Sequence, residues 1–327
     1  MKRTTKVLLA IAVFIVAGVF STWIYLAFYL PRANPAPDIV IEATPARITR
    51  GQYIAHHVAV CMDCHSTKDW SKFAGPLSGG LGAGGERFGK EMGFPGTLYA
   101  PNITPFKLAG WTDGEILRAI TTGVNKDGKA LFPLMPYHHY GQMDQEDIYS
   151  IIAYIRTLRP INNEVPERVL DFPVSLLVNT MTAEAAFAPQ PDTANRILYG
   201  KYLVNMSGCV DCHSQVEKGA LIAGTEYGGG RDFQQPAGIV RSPNITPDHK
   251  TGIGGWSEQG FIQRFKQYAD SSYKSPVMTE QMINTPMPWQ MYAGMSEADL
   301  QAIYQYLRTV EPIQNAVQRY QLTGDQK

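Results

Sequence analysis

Two five-residue stretches carry the residue types whose spacing points most directly to chemistry. They read Cys61-Met62-Asp63-Cys64-His65 and Cys209-Val210-Asp211-Cys212-His213. In a C-x-x-C-H sequence, the two thiols can form thioethers with the two vinyl groups of one haem, and the adjacent histidine can bind the iron. The motifs use all four cysteines of the chain, which leaves none for a disulfide. The sequence therefore predicts two haem c groups, attached at Cys61, Cys64, Cys209 and Cys212, with His65 and His213 as axial ligands.

A redox dithiol and half of a zinc site are the alternatives for a Cys-x-x-Cys sequence. A zinc site needs four ligands, whereas each cysteine pair here is followed directly by one histidine. A thioredoxin-like dithiol needs neither that histidine nor a second copy of the motif. Haem attachment is the preferred interpretation of both motifs.

The second axial ligand of each iron determines what the haem can do. Methionine raises the reduction potential and suits electron transfer, whereas an open position suits peroxide or oxygen chemistry. Met135 and Met287 follow the two motifs at similar distances, and each precedes a proline and an aromatic residue. A proline stiffens the loop that must hold a weak ligand. We predict Met135 and Met287 as these ligands.

Each of these two assignments has alternatives. A methionine is often a core filler. His138 or His139 can replace Met135, although a surface position or one near a propionate is preferred for both. Met287 has neighbouring methionines at Met278, Met282, Met291 and Met295. Among the other histidines, we expect a structural or surface role for His56 and His57 and a solvated position for His249.

The body of the chain is an internal repeat, a feature to be sought before local structure is assigned. Five matches occur in the same order in both copies. They pair Gly51-Gln52-Tyr53-Ile54 with Gly200-Lys201-Tyr202-Leu203, Pro101-Asn102-Ile103-Thr104-Pro105 with Pro243-Asn244-Ile245-Thr246-Pro247, Gly110-Trp111-Thr112 with Gly255-Trp256-Ser257, Met135-Pro136-Tyr137 with Met287-Pro288-Trp289, and Tyr154-Ile155-Arg156-Thr157-Leu158 with Tyr306-Leu307-Arg308-Thr309-Val310. The interval from Trp256 to Met287 is longer than its counterpart, and this insertion at 268–283 is a place where a partner or substrate could be met.

Each copy predicts helices and no strands. Residues 47–60 and 194–207 lead into the motifs as amphipathic helices. Thr112 and Glu115 predict a capping box that begins a helix ending near Thr122, and Ser257 begins the equivalent helix without Glu or Gln at the third position. Asp144 and Ser296 begin the last helix of each copy. The expected fold is all-α, with long Gly- and Pro-rich loops.

The first residues predict a membrane helix. Lys2, Arg3 and Lys6 precede residues 7–30, which carry no charge. A helix of that length covers roughly 36 Å, enough to cross a hydrocarbon core. Basic residues stay on the cytoplasmic side, so the remainder would lie across the membrane. A cleaved signal peptide is the alternative, but the apolar run is long for one and Ala33-Asn34-Pro35-Ala36-Pro37 lacks an A-x-A site.

The charge balance argues against a nucleic-acid partner. The chain has 29 basic and 29 acidic residues, and nucleic-acid binding usually needs a basic surface. Its 327 residues are enough for two domains. The predicted divisions are a cytoplasmic tip and transmembrane anchor at 1–30, a Pro-rich linker at 31–44, domain 1 at 45–165, an interdomain linker at 166–193, domain 2 at 194–320 and a tail at 321–327.

With these motifs in hand, residues 46–320 resemble two tandem class I cytochrome c domains. The Asn-Ile-Thr-Pro, Gly-Trp-Thr/Ser and Met-Pro segments are similar to those of membrane-anchored dihaem cytochromes c and of the cytochrome c subunits of bacterial alcohol, aldehyde and gluconate dehydrogenases. Those subunits often contain three haems, whereas this chain has motifs for two. The resemblance implies a single-pass protein of the bacterial inner membrane with its haem domains in the periplasm.

The resemblance also implies how the proximal histidines are oriented. A ligating histidine usually donates its other ring N–H to an acceptor, which in small cytochromes c is a carbonyl of a Gly-Pro-x-Leu-like loop. Gly75-Pro76-Leu77 fits this role for His65. The second copy has Ala223-Gly224-Thr225 near that place and lacks the proline, so the acceptor for His213 is open.

The function implied is electron transfer. Two His/Met haems would relay single electrons from a respiratory dehydrogenase or quinol-oxidising complex to a terminal oxidase or soluble cytochrome. The alternative is a haem enzyme, such as a dihaem peroxidase or a thiosulfate-oxidising cytochrome, with one open or differently ligated iron. A haem-based sensor is a weaker third candidate. An electron-transfer protein or cytochrome subunit is preferred over an enzyme with its own substrate.

Overall fold

The computed structural model describes residues 3–325. Met1 and Lys2 of the predicted cytoplasmic tip and Gln326 and Lys327 of the predicted tail lie outside these residues. The chain begins with helix α1 (Arg3–Ile24), which continues as a π-helical turn over Tyr25–Tyr29. This is the one helix in residues 3–325 that is long and apolar enough to cross a membrane, and none of its apolar window is buried in the protein. Length and composition alone would also suit a signal sequence.

Among the residues described, the N-terminal half contains six α-helices after the apolar one, a π-helical segment at Ile54–Val58 and a 3₁₀ turn at Lys90–Met92. The α-helices are α2 (Pro45–Tyr53), α3 (Cys61–Cys64), α4 (Pro105–Leu108), α5 (Asp113–Thr122), α6 (Tyr137–Tyr140) and α7 (Gln145–Arg156). Thr112 and Glu115 form the predicted capping box, and Asp144 caps α7 by accepting from the Glu146 backbone N–H. Both helices therefore begin where their caps predict.

A connecting segment and the C-terminal half follow. The segment holds α8 (Val174–Leu177) and a 3₁₀ turn at Val178–Thr180. The C-terminal half contains α9 (Arg196–Met206), α10 (Cys209–Cys212), α11 (Glu258–Lys266), α12 (Trp289–Tyr292) and α13 (Glu297–Leu307). Ser257 and Ser296 cap α11 and α13 as predicted.

Short strands are also present, so the all-α expectation was too strict. They are β1 (Thr67–Lys68), β2 (Leu77–Gly79), β3 (Arg87–Phe88), β4 (Gly96–Tyr99), β5 (Val169–Leu170), β6 (Val216–Glu217), β7 (Ala220–Leu221), β8 (Asp232–Gln235), β9 (Gly238–Arg241) and β10 (Tyr320–Leu322). They pair antiparallel as β1-β2, β3-β4-β5, β6-β7 and β10-β9-β8. Strands of two to four residues are too short to show an alternating pattern, which is why the sequence did not predict them. The fold is mostly helical.

One helix crossing forms the centre of each half: α2 packs on α7 in the N-terminal half, and α9 packs on α13 in the C-terminal half. Both crossings depend on a glycine. A Cβ added to Gly51 would lie 1.8 Å from the Ser150 carbonyl oxygen, and one added to Gly200 would lie 1.9 Å from that of Ala302. The repeated glycine therefore lets the two backbones touch.

The two halves contact each other through reciprocal tyrosine–aspartate pairs. Tyr53 of α2 donates a hydrogen bond to Asp299 of α13, and Tyr202 of α9 donates one to Oδ2 of Asp147 in α7 at 2.6 Å. Each tyrosine is the one in the repeated Gly-x-Tyr segment, and each partner lies at the start of the other half's last helix. Each half therefore makes the same tyrosine–aspartate contact to the other, as in an approximately two-fold symmetric interface.

A second level of the interface follows the same pattern. Nδ1 of His57 lies 2.8 Å from the Met291 carbonyl oxygen, and Nδ2 of Asn205 donates to the His139 carbonyl at 3.3 Å. His57 and Asn205 each precede a C-x-x-C-H motif by four residues, and their partners each follow Met287 or Met135 by four. The helix before one motif thus packs on the turn after the other half's Met-Pro pair.

The insertion at 268–283 meets the N-terminal half of the same chain. Val277 forms an antiparallel bridge with Lys72, and just beyond the insertion Oδ1 of Asn284 accepts the Ala74 N–H at 2.8 Å. Asn284 is buried and also donates to the Lys72 carbonyl at 3.0 Å. The extra residues therefore clamp the two halves together.

Candidate haem centres

Each C-x-x-C-H motif forms a single helical turn that presents its side chains in the same way. The backbone N–H of His65 donates to the Cys61 carbonyl at 3.0 Å, and that of His213 donates to the Cys209 carbonyl at 2.9 Å. The residue before each turn is left-handed, with φ of 46° at Val60 and 60° at Gly208. Valine is strained in this conformation, and such strain is characteristic of functional sites.

None of the four cysteines forms a disulfide within residues 3–325. Burial raises the pKa of Cys61, Cys64 and Cys209 to about 12, and it also raises the pKa of Cys212. A redox dithiol needs a lowered thiol pKa, so these pairs do not have the electrostatics of a thioredoxin-like site. Neutral thiols beside an apolar core are compatible with haem attachment.

Both motif histidines have one ring nitrogen held by a backbone carbonyl. Nδ1 of His65 lies 2.7 Å from the Pro101 oxygen, and Nδ1 of His213 lies 2.9 Å from the Pro243 oxygen. Burial lowers the pKa of His65 and lowers that of His213 to about 4. A neutral imidazole that donates Nδ1–H to a carbonyl leaves the Nε2 lone pair for a metal. Each histidine therefore has the tautomer that iron ligation requires.

The acceptor predicted for His65 was wrong. The Pro76 carbonyl accepts from the Asp69 N–H at 2.9 Å instead. The acceptors Pro101 and Pro243 begin the repeated Pro-Asn-Ile-Thr-Pro segments. The second half therefore has an acceptor for His213 that is equivalent to the one for His65. The sequence signal that could have found them is the recurrence of this segment after both motifs.

A buried asparagine fixes each acceptor loop. Oδ1 of Asn102 accepts from the backbone and hydroxyl of Thr104 at 2.9 and 2.8 Å, and its Nδ2 donates to the Ile161 carbonyl at 2.9 Å. Asn244 makes the equivalent bonds to Thr246, at 2.9 and 2.7 Å, and to the Ile313 carbonyl, at 2.6 Å. This network satisfies the buried amide and holds the preceding proline carbonyl against the histidine.

Met135 and Met287 occupy the same turn in the two halves. The Met135 carbonyl accepts from the Tyr137 N–H, and the Met287 carbonyl accepts from the Trp289 N–H, both at 2.8 Å. Both methionines are half-buried and pack against the hydrophobic core, as do Cys61 and Cys209.

The alternatives for these positions differ in their surroundings, and Met278 stays an alternative to Met287 because its contact involves only the backbone. Met291 and Met295 are buried core side chains, and the Met282 side chain is exposed. The Met278 backbone N–H donates to the Ser71 carbonyl at 2.8 Å. His139 has both ring nitrogens hydrogen-bonded, to Asn205 at 2.8 Å and to Asp211 at 2.9 Å.

His139 is buried, so the surface position preferred for it was wrong, whereas the other predicted histidine positions agree with the structure. Nε2 of His56 lies 2.6 Å from the Tyr154 hydroxyl, and His57 bridges to the other half, so both have structural roles. His249 is exposed and His138 is half-exposed.

The acidic residue inside each motif has a cationic partner of a different kind. Asp63 pairs with Lys68 at 2.9 Å, and the Lys68 side chain is only 3% exposed. Asp211 pairs with His139 at 2.9 Å, and its interactions with His139 and the nearby His138 outweigh burial and lower the pKa of Asp211. Sequence reasoning did not identify either pair, because the partners lie outside the motifs.

Comparison with known proteins finds a family match in the C-terminal half and several relatives of the chain. The cytochrome c family model matches residues 197–311, which include the second motif and Met287. The chain is 30% identical to the fructose dehydrogenase cytochrome subunit of Gluconobacter japonicus, over 90% of the chain and 59% of that protein. It is 27% identical to the gluconate 2-dehydrogenase cytochrome c subunit of Pantoea cypripedii, over 82% of the chain and 60% of that protein.

A third relative has nearly the same length. The chain is 24% identical to a protein named diheme cytochrome c-type from Cereibacter sphaeroides, over 93% of the chain and 97% of that protein. The chain spans about three fifths of the two dehydrogenase subunits. With the matching geometry of His213, these similarities identify residues 197–311 as a cytochrome c domain.

Proposed function

We propose that this protein is a membrane-anchored dihaem cytochrome c that relays single electrons. The observation that carries the proposal is the pair of matching histidine–carbonyl contacts, His65 to Pro101 and His213 to Pro243. One of these lies inside the matched cytochrome c domain. The other lies in the first half, where the same repeated segments build the same contact, so we assign a second haem site there.

The residues that would hold the two haems are those of the motifs and the Met-Pro turns. Cys61 and Cys64 would bond the first haem and Cys209 and Cys212 the second, with His65/Met135 and His213/Met287 as axial pairs. Haem iron supplies reversible one-electron chemistry when bound. The protein would fix the orientation of the two histidine rings and exclude water with its apolar core. Met135 and Met287 would each supply a thioether sulfur as the second ligand of an iron.

The identical turns at Met135 and Met287 favour a carrier over a haem enzyme. An enzyme with one open iron would need the two halves to differ at the sixth ligand. The two methionines instead have the same backbone hydrogen bond and a similar degree of burial.

The donor, the acceptor and the membrane attachment are part of the proposal. The names of the relatives, a fructose and a gluconate dehydrogenase subunit, support a dehydrogenase as donor. A quinol-oxidising complex would be an equivalent donor, and a terminal oxidase or soluble cytochrome would accept the electrons. The apolar helix Arg3–Tyr29 would anchor the chain in the bacterial inner membrane with both haem domains in the periplasm.

The test is spectroscopy and potentiometry of the purified full chain. We expect two covalent haems per chain by pyridine haemochrome assay and a far-red absorption band from methionine–ferric iron bonding at two-haem intensity. Met135→His and Met287→His should each remove about half of that band and lower one of the two midpoint potentials, because methionine raises the potential.

Three results would contradict the proposal. They are one haem per chain, zinc in place of haem, or a far-red band that one of these substitutions leaves at full strength. Peroxide turnover by the unsubstituted protein would favour the enzyme alternative.

A further inference from the structure

The segment between the two halves contacts the end of the apolar helix. Helix α8 and the 3₁₀ turn after it pack against the π-helical turn Tyr25–Tyr29. Nδ2 of Asn179 donates to the Leu26 carbonyl at 2.9 Å. A carbonyl in the last turn of a helix has no partner within that helix, so this bond joins the helix end to the segment.

The position of Leu26 along the helix sets the depth of this contact. Lys6 is the last charged residue before the apolar run, and residues 7–26 form a helical length of roughly 30 Å at 1.5 Å per residue. That length equals the thickness of a bilayer hydrocarbon core. If Lys6 lies at one boundary of the core, Leu26 and Asn179 lie at the other.

The segment that contacts the helix end also leaves three apolar side chains exposed. Phe172 is 80% exposed, Leu177 39% and Met181 36%. Their neighbour Val178 is only 2% exposed, so one side of the segment packs on the protein while the other is uncovered. Trp23, Tyr25 and Tyr29 of the helix are also exposed, and aromatic residues of this kind are enriched where membrane meets water.

We propose that residues 172–181 form a second membrane contact, with Phe172, Leu177 and Met181 inserted at the boundary between lipid headgroups and acyl chains. The inference rests on the proposed anchor. Lipid is the occupant because the segment is hydrogen-bonded to the helix at the level where the hydrocarbon ends, so lipid already surrounds its uncovered side. Two contacts, unlike one flexible tether, would hold the N-terminal half against the membrane in one orientation.

The test is photo-crosslinking of the full chain, with both haems attached, in nanodiscs of phosphatidylcholine and phosphatidylglycerol. The photoreactive residue p-benzoylphenylalanine is placed at Phe172, at Tyr29 in the helix, or at Trp256 in the C-terminal half. Tyr29 and Trp256 are exposed aromatic residues like Phe172, and haem absorbance confirms that each variant is folded. Attached phospholipid is measured by mass spectrometry.

We expect lipid attachment at Phe172 comparable to that at Tyr29 and at least fivefold above that at Trp256. Attachment at Tyr29 but not at Phe172 would overturn the second contact and leave the anchor standing. Absence of attachment at both would overturn the two together. Attachment of Phe172 to a second protein chain instead of lipid would also overturn the inference.

Discussion

Tyr202 donates a hydrogen bond to Asp147 across 2.6 Å, joining the first helix of the C-terminal half to the last helix of the N-terminal half. The reciprocal contact runs from Tyr53 to Asp299. The two aspartates differ in their other partners, because Asp147 also receives two bonds from Arg50, at 2.8 and 2.9 Å. Burial and the adjacent carboxylate raise the pKa of both tyrosines, so both hydroxyls are donors at physiological pH.

Removing either hydroxyl should weaken the interface, by different amounts. Tyr53→Phe removes the hydrogen bond that the buried Asp299 accepts from the other half. A hydrogen bond to a charged group contributes about 1.5–3 kcal/mol to stability. Tyr202→Phe should cost less, about 1 kcal/mol, because Arg50 still neutralises Asp147. Guanidinium unfolding of the full protein measures both. Equal losses would contradict the role assigned to Arg50.

The His139–Asp211 pair should make stability depend on pH. Burial lowers the pKa of His139, but the hydrogen bond and charge of Asp211 outweigh it, so the folded pKa is raised. Stabilisation is then fully present below the unfolded pKa of about 6.5 and is lost as pH rises through the folded pKa. His139→Gln should therefore cost about 1 kcal/mol at pH 5.5, and less at pH 9.

The measurement for this pair is the unfolding free energy of both proteins at the two pH values. The matched control is His249→Gln, because His249 is exposed and should change stability little at either pH. The prediction is contradicted if the loss of unfolding free energy in the His139→Gln variant is larger at pH 9 than at pH 5.5.

The glycines at the helix crossings should not tolerate even a methyl group. Gly51→Ala and Gly200→Ala place a Cβ within 2 Å of a backbone carbonyl, and overpacking of this kind costs about 3 kcal/mol. Gly110→Ala is the control, because a Cβ there has no atom within 4 Å. The midpoint temperature of thermal unfolding and the haem content should both fall for Gly51→Ala and Gly200→Ala. Both should stay close to the wild-type values for Gly110→Ala.

The asparagine that holds each acceptor loop should affect one haem at a time. Asn102→Ala leaves buried donors and acceptors without partners, at a cost of about 3 kcal/mol. It should also shift the potential of only one of the two haem components, since it loosens the Pro101 carbonyl against His65. Asn244→Ala should shift the other component. Asn162→Ala, at an exposed neighbouring position, should shift neither.

Local signals in the sequence predicted the parts of the fold that are themselves local. Thr112, Asp144, Ser257 and Ser296 cap their helices where the pattern indicated, since a cap is decided within one turn. The apolar helix belongs to the same class. The repeat also indicated that equivalent residues would occupy equivalent places, as Gly51 and Gly200 do.

Features that depend on distant pairing could not be predicted in this way. Strand β5 pairs with β4 across more than seventy residues, as β10 does with β9. The acceptor for His65 lies 36 residues away in a loop placed by Asn102. The pairing of His139 with Asp211 depends on how the halves pack, and nothing in either segment alone predicts it.

The clamp around Asn284 and the reciprocal tyrosine bonds restrain the two halves at separate places. A hinge motion that separates the halves would break a buried hydrogen bond, which opposes a change in the spacing between the two motifs. If both proposed haems are present, an electron that crosses between them would tunnel through a gap whose width this packing restrains. The rate of that transfer would depend on the gap width and on the difference in potential, and we expect it to be insensitive to the viscosity of the solvent.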